Sequence, residues 1–98
     1  MKIVLLAEAQ RCFEAEDEWW REHRDAKELF LEEFALTLQQ IRSMPEAGQR
    51  YRRIGGKLIR RLLMRKVACH VYYHHDAEQG VIEIHSVWGA RRKRGPVL

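Results

Sequence analysis

The chain has 98 residues, 46% of them hydrophobic and 33% charged, with a formal net charge of +4. That length gives a single domain, 1–98, and the hydrophobic content excludes a disordered chain. The longest uninterrupted apolar run, Ile3 to Ala7, falls far short of the roughly 20 residues that span a bilayer, so no membrane role is expected. It is also too short for a secretory h-region, and Cys12 and Cys69 form no CxxC pair and read as reduced thiols; the expected location is the cytoplasm.

Residues 2–7 form an apolar run without polar alternation, which predicts a strand buried on both faces inside a sheet. From about Ala9 to His23, Cys12, Phe13, Glu16, Trp19 and Trp20 recur at helical spacing opposite an acidic face, which predicts an amphipathic helix with an aromatic end. After a short break, Asp25 with Glu28 reads as a capping box opening a second helix over about Ala26 to Ser43. Its apolar positions include Leu29, Phe30, Phe34, Leu38 and Ile41, and Pro45 stops it. The two helices make an antiparallel hairpin.

Pro45 to Gly48 is a turn, after which the period becomes strand-like. Strands are expected at Arg50 to Ile54, Leu58 to Lys66, Val67 to His75 and Val81 to Trp88, with Gly55-Gly56 and Asp76 to Gly80 as turns. Beyond Gly89 lies a basic tail. The expected class is α+β: an N-terminal strand, a two-helix hairpin, then a three- to four-stranded, mostly antiparallel sheet covered on one face.

Charge is uneven along this layout. Residues 1–49 hold 6 Lys/Arg against 11 Asp/Glu, and residues 50–98 hold 12 against 3. The second half therefore calls for an anionic partner, either nucleic acid or an acidic protein segment. Arg60, Arg61 and Arg65 on the early strands, and Arg91, Arg92 and Arg94 after the last one, are the candidate binding residues, because guanidinium groups pair bidentately with phosphates and carboxylates. If Val71, Tyr73, Ile82 and Ile84 face the helices, then His70, Tyr72, Glu83 and His85 meet on the open face. Such a set suits general acid–base work, metal holding or simply a solvated polar patch. No zinc spacing, GxxxxGK[ST] loop, GxSxG elbow or GxGxxG is present, so no metal or cofactor is expected.

Several strings, in order, resemble the RelE/ParE superfamily of type II toxin–antitoxin toxins, closer to its ParE-like plasmid-stabilisation branch. They are Glu14-Ala15-Glu16-Asp17-Glu18-Trp19-Trp20, Phe30-Leu31-Glu32-Glu33 through Ile41, and Met44-Pro45-Glu46-Ala47-Gly48. His70-Val71-Tyr72-Tyr73, Val81-Ile82-Glu83-Ile84 and Val87-Trp88-Gly89-Ala90-Arg91-Arg92 with Gly95-Pro96 continue the series. The resemblance implies that fold and a small toxin neutralised by an acidic antitoxin. ParE-like members inhibit DNA gyrase by binding it; RelE-like members cleave mRNA on the ribosome.

The cleaving branch usually has an arginine where this chain has Cys69, and a second one matched by Arg91 or Arg92. Its usual C-terminal aromatic or histidine has no counterpart in Pro96-Val97-Leu98. The resemblance therefore favours a gyrase-binding toxin that is not an enzyme. The alternative is a ribosome-dependent mRNA endonuclease using His70, Tyr72, His85, Arg91 or Arg92. A non-toxic antitoxin- or operator-binding member is the third reading.

Overall fold

A computed structural model describes residues 1–98. In chain order it contains β1 (Lys2–Leu5), α1 (Ala7–His23), α2 (Leu29–Ser43), a 3-10 turn (Pro45–Ala47), β2 (Gln49–Ile54), β3 (Lys57–Met64), a second 3-10 turn (Arg65–Val67), β4 (Cys69–Asp76) and β5 (Val81–Gly89). The strands form one five-stranded sheet in the order β1-β5-β4-β3-β2. All neighbours are antiparallel except β1 and β5, which run parallel. The α+β class is as expected, with more strands in the sheet than the expected three to four. No helix is long and apolar enough to cross a membrane.

β1 occupies an edge of the sheet, not its interior. A continuous apolar run reports that both faces are covered, but it does not report how many strands flank it. Ile3 and Leu5 pack against the main core, and Val4 on the opposite face is half-buried. The other edge belongs to β2, which pairs with β3 alone and carries Arg50, Arg52 and Arg53.

The main core lies between the helices and one sheet face. α2 contributes Phe30, Phe34 and Ile41, α1 contributes Ala9, and the sheet contributes Val71, Tyr73, Ile82, Ile84 and Val87. Phe13 of α1 joins the two helices, its ring centroid 4.7 Å from that of Phe34 and 5.6 Å from that of Phe30. The helix stripes are as expected in their buried positions and differ at their ends. α1 starts at Ala7, and its Trp19 turns outward while Trp20 packs on the core. α2 starts at Leu29 and no capping box forms at Asp25. Residues 24–28 are all exposed, so helix geometry there has no buried face to support it, and tertiary burial sets the start of the helix.

Tyr73 fastens the helical layer to the sheet. Its buried hydroxyl donates to the Pro45 carbonyl at 2.7 Å and accepts from the Gly48 N–H at 2.9 Å. A Cβ at Gly48 would lie 2.7 Å from that hydroxyl, so only glycine fits there. Arg60, opposite Tyr73 on the same face, donates to the Gly48 carbonyl at 3.0 Å. Arg60, a candidate binding residue by sequence, is therefore a clamp at the rim of the covered face and does not line the open face. The carbonyls leaving α2 draw it there.

A β-bulge in β5 alters the second expectation. Tyr73 opposes Ile84, yet Tyr72 opposes Ser86, so His85 is the extra residue. Ile82 and Ile84 face the helices as expected; beyond the bulge the faces exchange. Val87 enters the main core, and Trp88 joins Tyr72 on the opposite face. That face is not a bare polar patch. Ile59, Tyr72 and Trp88 form a second small cluster against which Tyr51, Ile54 and Leu98 pack. The basic tail folds back over it: the Trp88 indole donates to the Arg94 carbonyl at 2.8 Å and Pro96 is buried.

The Phe34→Ala variant should lose about 3–5 kcal/mol in urea unfolding, the range for emptying a buried aromatic site. A loss below about 1 kcal/mol, nearer an exposed-site change, would show that α2 does not seal the sheet through this ring.

Candidate anion-binding surface

Of the 12 Lys and Arg residues in 50–98, only Lys57 and Arg92 are paired with a carboxylate, which leaves ten without one. The acidic first half does not neutralise them. Its ion pairs are mostly local, Glu8 with Arg11 and Asp17 with Arg21, and only Glu16 reaches across to the second half, at Arg92. Burying so many unpaired guanidiniums would be too costly, so they gather at the surface.

On the open face three of these cations, Arg61, Lys93 and Arg94, join Arg92 around a cavity of about 220 Å³. Arg61 comes from β3, His70 and Tyr72 from β4, and Trp88 from β5. Tyr51 of β2 closes one side, and Arg92, Lys93 and Arg94 of the folded-back tail close the other. Aromatic rings hold the cations in place. Arg92 sits 4.2 Å over the Trp88 ring, while Arg61 and Arg52 lie 5.1 Å and 5.4 Å from the centre of Tyr51. Tyr51 in turn meets Tyr72 edge to face at 5.0 Å. Stacking on a ring orders a guanidinium without neutralising it, so the N–H groups of Arg61 and Arg52 remain available to a phosphate or a carboxylate, while Arg92 also donates to Glu16.

The structure brings some expected residues together and separates others. Arg61, His70, Tyr72, Arg92 and Arg94 share the cavity. Arg65 and Arg91 line a different groove, beside α1. His85 and Glu83 do not join His70 and Tyr72. The bulge leaves His85 within 3.2 Å of Glu83, which also accepts from Lys57 at 2.9 Å. The Lys57 ammonium holds the Glu83 carboxyl below the usual carboxylate range, so this carboxylate is committed to internal pairing. Tyr51, Trp88 and Lys93 were not among the expected site residues. Their signal is local: an aromatic beside or four residues before an arginine, at Tyr51-Arg52 and at Trp88 with Arg92.

Proton chemistry in the cavity is limited. Burial, and then the nearby Arg61 charge, hold His70 below the usual imidazole range, so it is neutral at pH 7 and a poor general acid. Its ring lies 5.9 Å from that of Tyr72. Cys69, at the position where an arginine was sought, is buried and its thiol is pushed up to about 12, first by desolvation and then by Glu16. It supplies neither charge nor a nucleophile. No three His, Cys, Asp or Glu side chains converge as metal ligands do. The arrangement is suited to binding an anion through oriented guanidiniums.

No protein-family model matches the chain, and no curated protein matches it.

The depressed native pKa of His70 has a sign that can be tested. The unfolded chain binds this proton more tightly, so the contribution to stability is complete above the unfolded value near 6.5 and is lost as the pH falls from there through the native value. Arg61→Gln should raise the His70 midpoint in an NMR titration of the imidazole protons. An unchanged midpoint would mean that Arg61 does not act on the cavity.

Proposed function

We propose that the chain is the toxin of a type II toxin–antitoxin pair, ParE-like, acting by binding DNA gyrase and neutralised by an acidic antitoxin. The observation that carries the acidic partner is the set of ten cations in residues 50–98 without carboxylate partners. The order of elements supports the RelE/ParE-like fold: a strand, a helical hairpin and then antiparallel strands is what the resemblance implies. Gyrase as the target rests on the resemblance alone.

Binding rather than cleavage is favoured by the chemistry of the cavity. A phosphodiester cleavage needs charge stabilisation and proton transfer at one place. Here Cys69 is inert, His85 is held by Glu83, and Arg91 lies in the other groove. One observation favours the second reading, a ribosome-dependent mRNA endonuclease. His70 and Tyr72 stand beside Arg61 and Arg92, so a proton-moving group and two cations do share the cavity.

Purified chain should inhibit gyrase supercoiling, and the double variant Arg61→Glu with Arg92→Glu should lose that inhibition. Toeprinting on translating ribosomes should show no new cuts. Codon-specific cuts abolished by His70→Ala would establish the endonuclease instead. Silence in both assays with tight antitoxin binding would identify a non-toxic member. The antitoxin complex should weaken as salt rises, since the screening length falls from about 8 Å at 0.15 M to about 3 Å at 1 M. An affinity indifferent to salt would remove the exposed cations from the interface.

A further inference from the structure

A larger cavity, about 710 Å³, is distinct from the one on the open face. It is a groove between the C-terminal end of α1 and the turn joining β3 to β4. Trp19, Trp20 and Arg24 form one wall, and Arg65, Lys66 and Arg91 form the other. Val67, Ala68 and Cys69 also line it. Arg24, Arg65, Lys66 and Arg91 have no carboxylate partner. The one carboxylate in the groove is Glu16, which accepts from Arg92 at 3.4 Å. The groove thus already seats a carboxylate on a guanidinium, and it has four further cations free.

We propose that this groove is the docking site for an acidic protein segment, which places an apolar side chain between Trp20 and Val67 and its carboxylates on Arg24, Arg65, Lys66 and Arg91. The reading of that segment as an antitoxin rests on the function proposed above; the groove stands without it.

Two observations select peptide over nucleic acid. Binding of single strands relies on bare aromatic faces for bases. Trp19 already has the His23 ring stacked on it at 4.8 Å and Arg24 at 5.0 Å, and Arg24 also covers Trp20 at 5.6 Å. On the same helix, next in sequence to the lining residues Ala15 and Trp19, stand the exposed Glu14 and Glu18, with Glu22 one turn further on. A continuous phosphate backbone would run against these charges, whereas a short peptide can stop before them. The volume suits a few side chains and is too large for a lone ion.

The test is a random-peptide phage library panned against the full chain, followed by binding of the enriched peptides in synthetic form. The selected peptides should be acidic with at least one apolar residue, and they should quench tryptophan fluorescence. Arg65→Glu with Lys66→Glu should weaken them roughly tenfold or more, as for central charge contacts, and Arg91→Glu should act in the same direction. Arg50→Glu with Arg53→Glu, on the distant β2 edge, should leave them unchanged.

Three results would overturn the proposal. One is selection without acidic bias. Another is equal loss in both double variants. The last is displacement of the peptide by a single-stranded oligonucleotide that itself loses affinity in Arg65→Glu with Lys66→Glu. A chain that arrests growth on expression but selects no acidic peptide would keep the toxin reading and lose the groove. A chain that selects such peptides without arresting growth would do the reverse.

Discussion

The side of the sheet that Trp88 occupies depends on one extra residue in β5. With His85 inserted opposite the Tyr72–Tyr73 step, Val87 completes the core under the helices and Trp88 emerges on the far face. The second apolar cluster, the docking of the tail through the Trp88 indole and the position of Arg92 over its ring all follow from that shift. A regular strand would send Trp88 into a core already filled by Phe30, Phe34 and Tyr73. Overpacking of that kind is itself destabilising.

The same shift organises the electrostatics. Acidic residues concentrate on the helices, where Glu8 and Asp17 satisfy basic neighbours a turn away, Arg11 and Arg21. Three arginines of the sheet and tail stack on rings, and of these only Arg92 also meets a carboxylate, that of Glu16. Tyr51 and Trp88 hold all three between 4.2 Å and 5.4 Å. A ring lends orientation and leaves the charge intact, so the surface keeps a strong positive potential with defined geometry. Arg92 is the point where the two cavities meet, since it touches Trp88 in one and Glu16 in the other.

Much of this fold is legible from residue pattern. The buried stripe of α2 and the core pairing of Val71 and Tyr73 with Ile82 and Ile84 follow from periods of 3.6 and 2. What escapes is non-local or conformational. No glycine marks the bulge at His85, and a one-residue slip reverses every side chain beyond it. Arg60 looks like any other strand arginine until the carbonyl at Gly48 is placed beside it. The docking of the tail goes unread because its anchor is a backbone carbonyl at Arg94, which has no signature in side-chain chemistry. Charge asymmetry points to the half of the chain that carries the unpaired cations, while only topology divides its arginines between a cavity, a groove and a clamp.

β2 bears on how copies of the molecule meet. It ends the sheet with an unpaired backbone ladder, the usual template for one sheet to extend into another. Arg50, Arg52 and Arg53 stand along that ladder, exposed and lacking carboxylate partners. Two such rims approaching each other bring cation against cation before any amide can find a carbonyl. Like charge along this border thus stands against the docking of an identical border, while a strand bearing carboxylates would meet no such barrier.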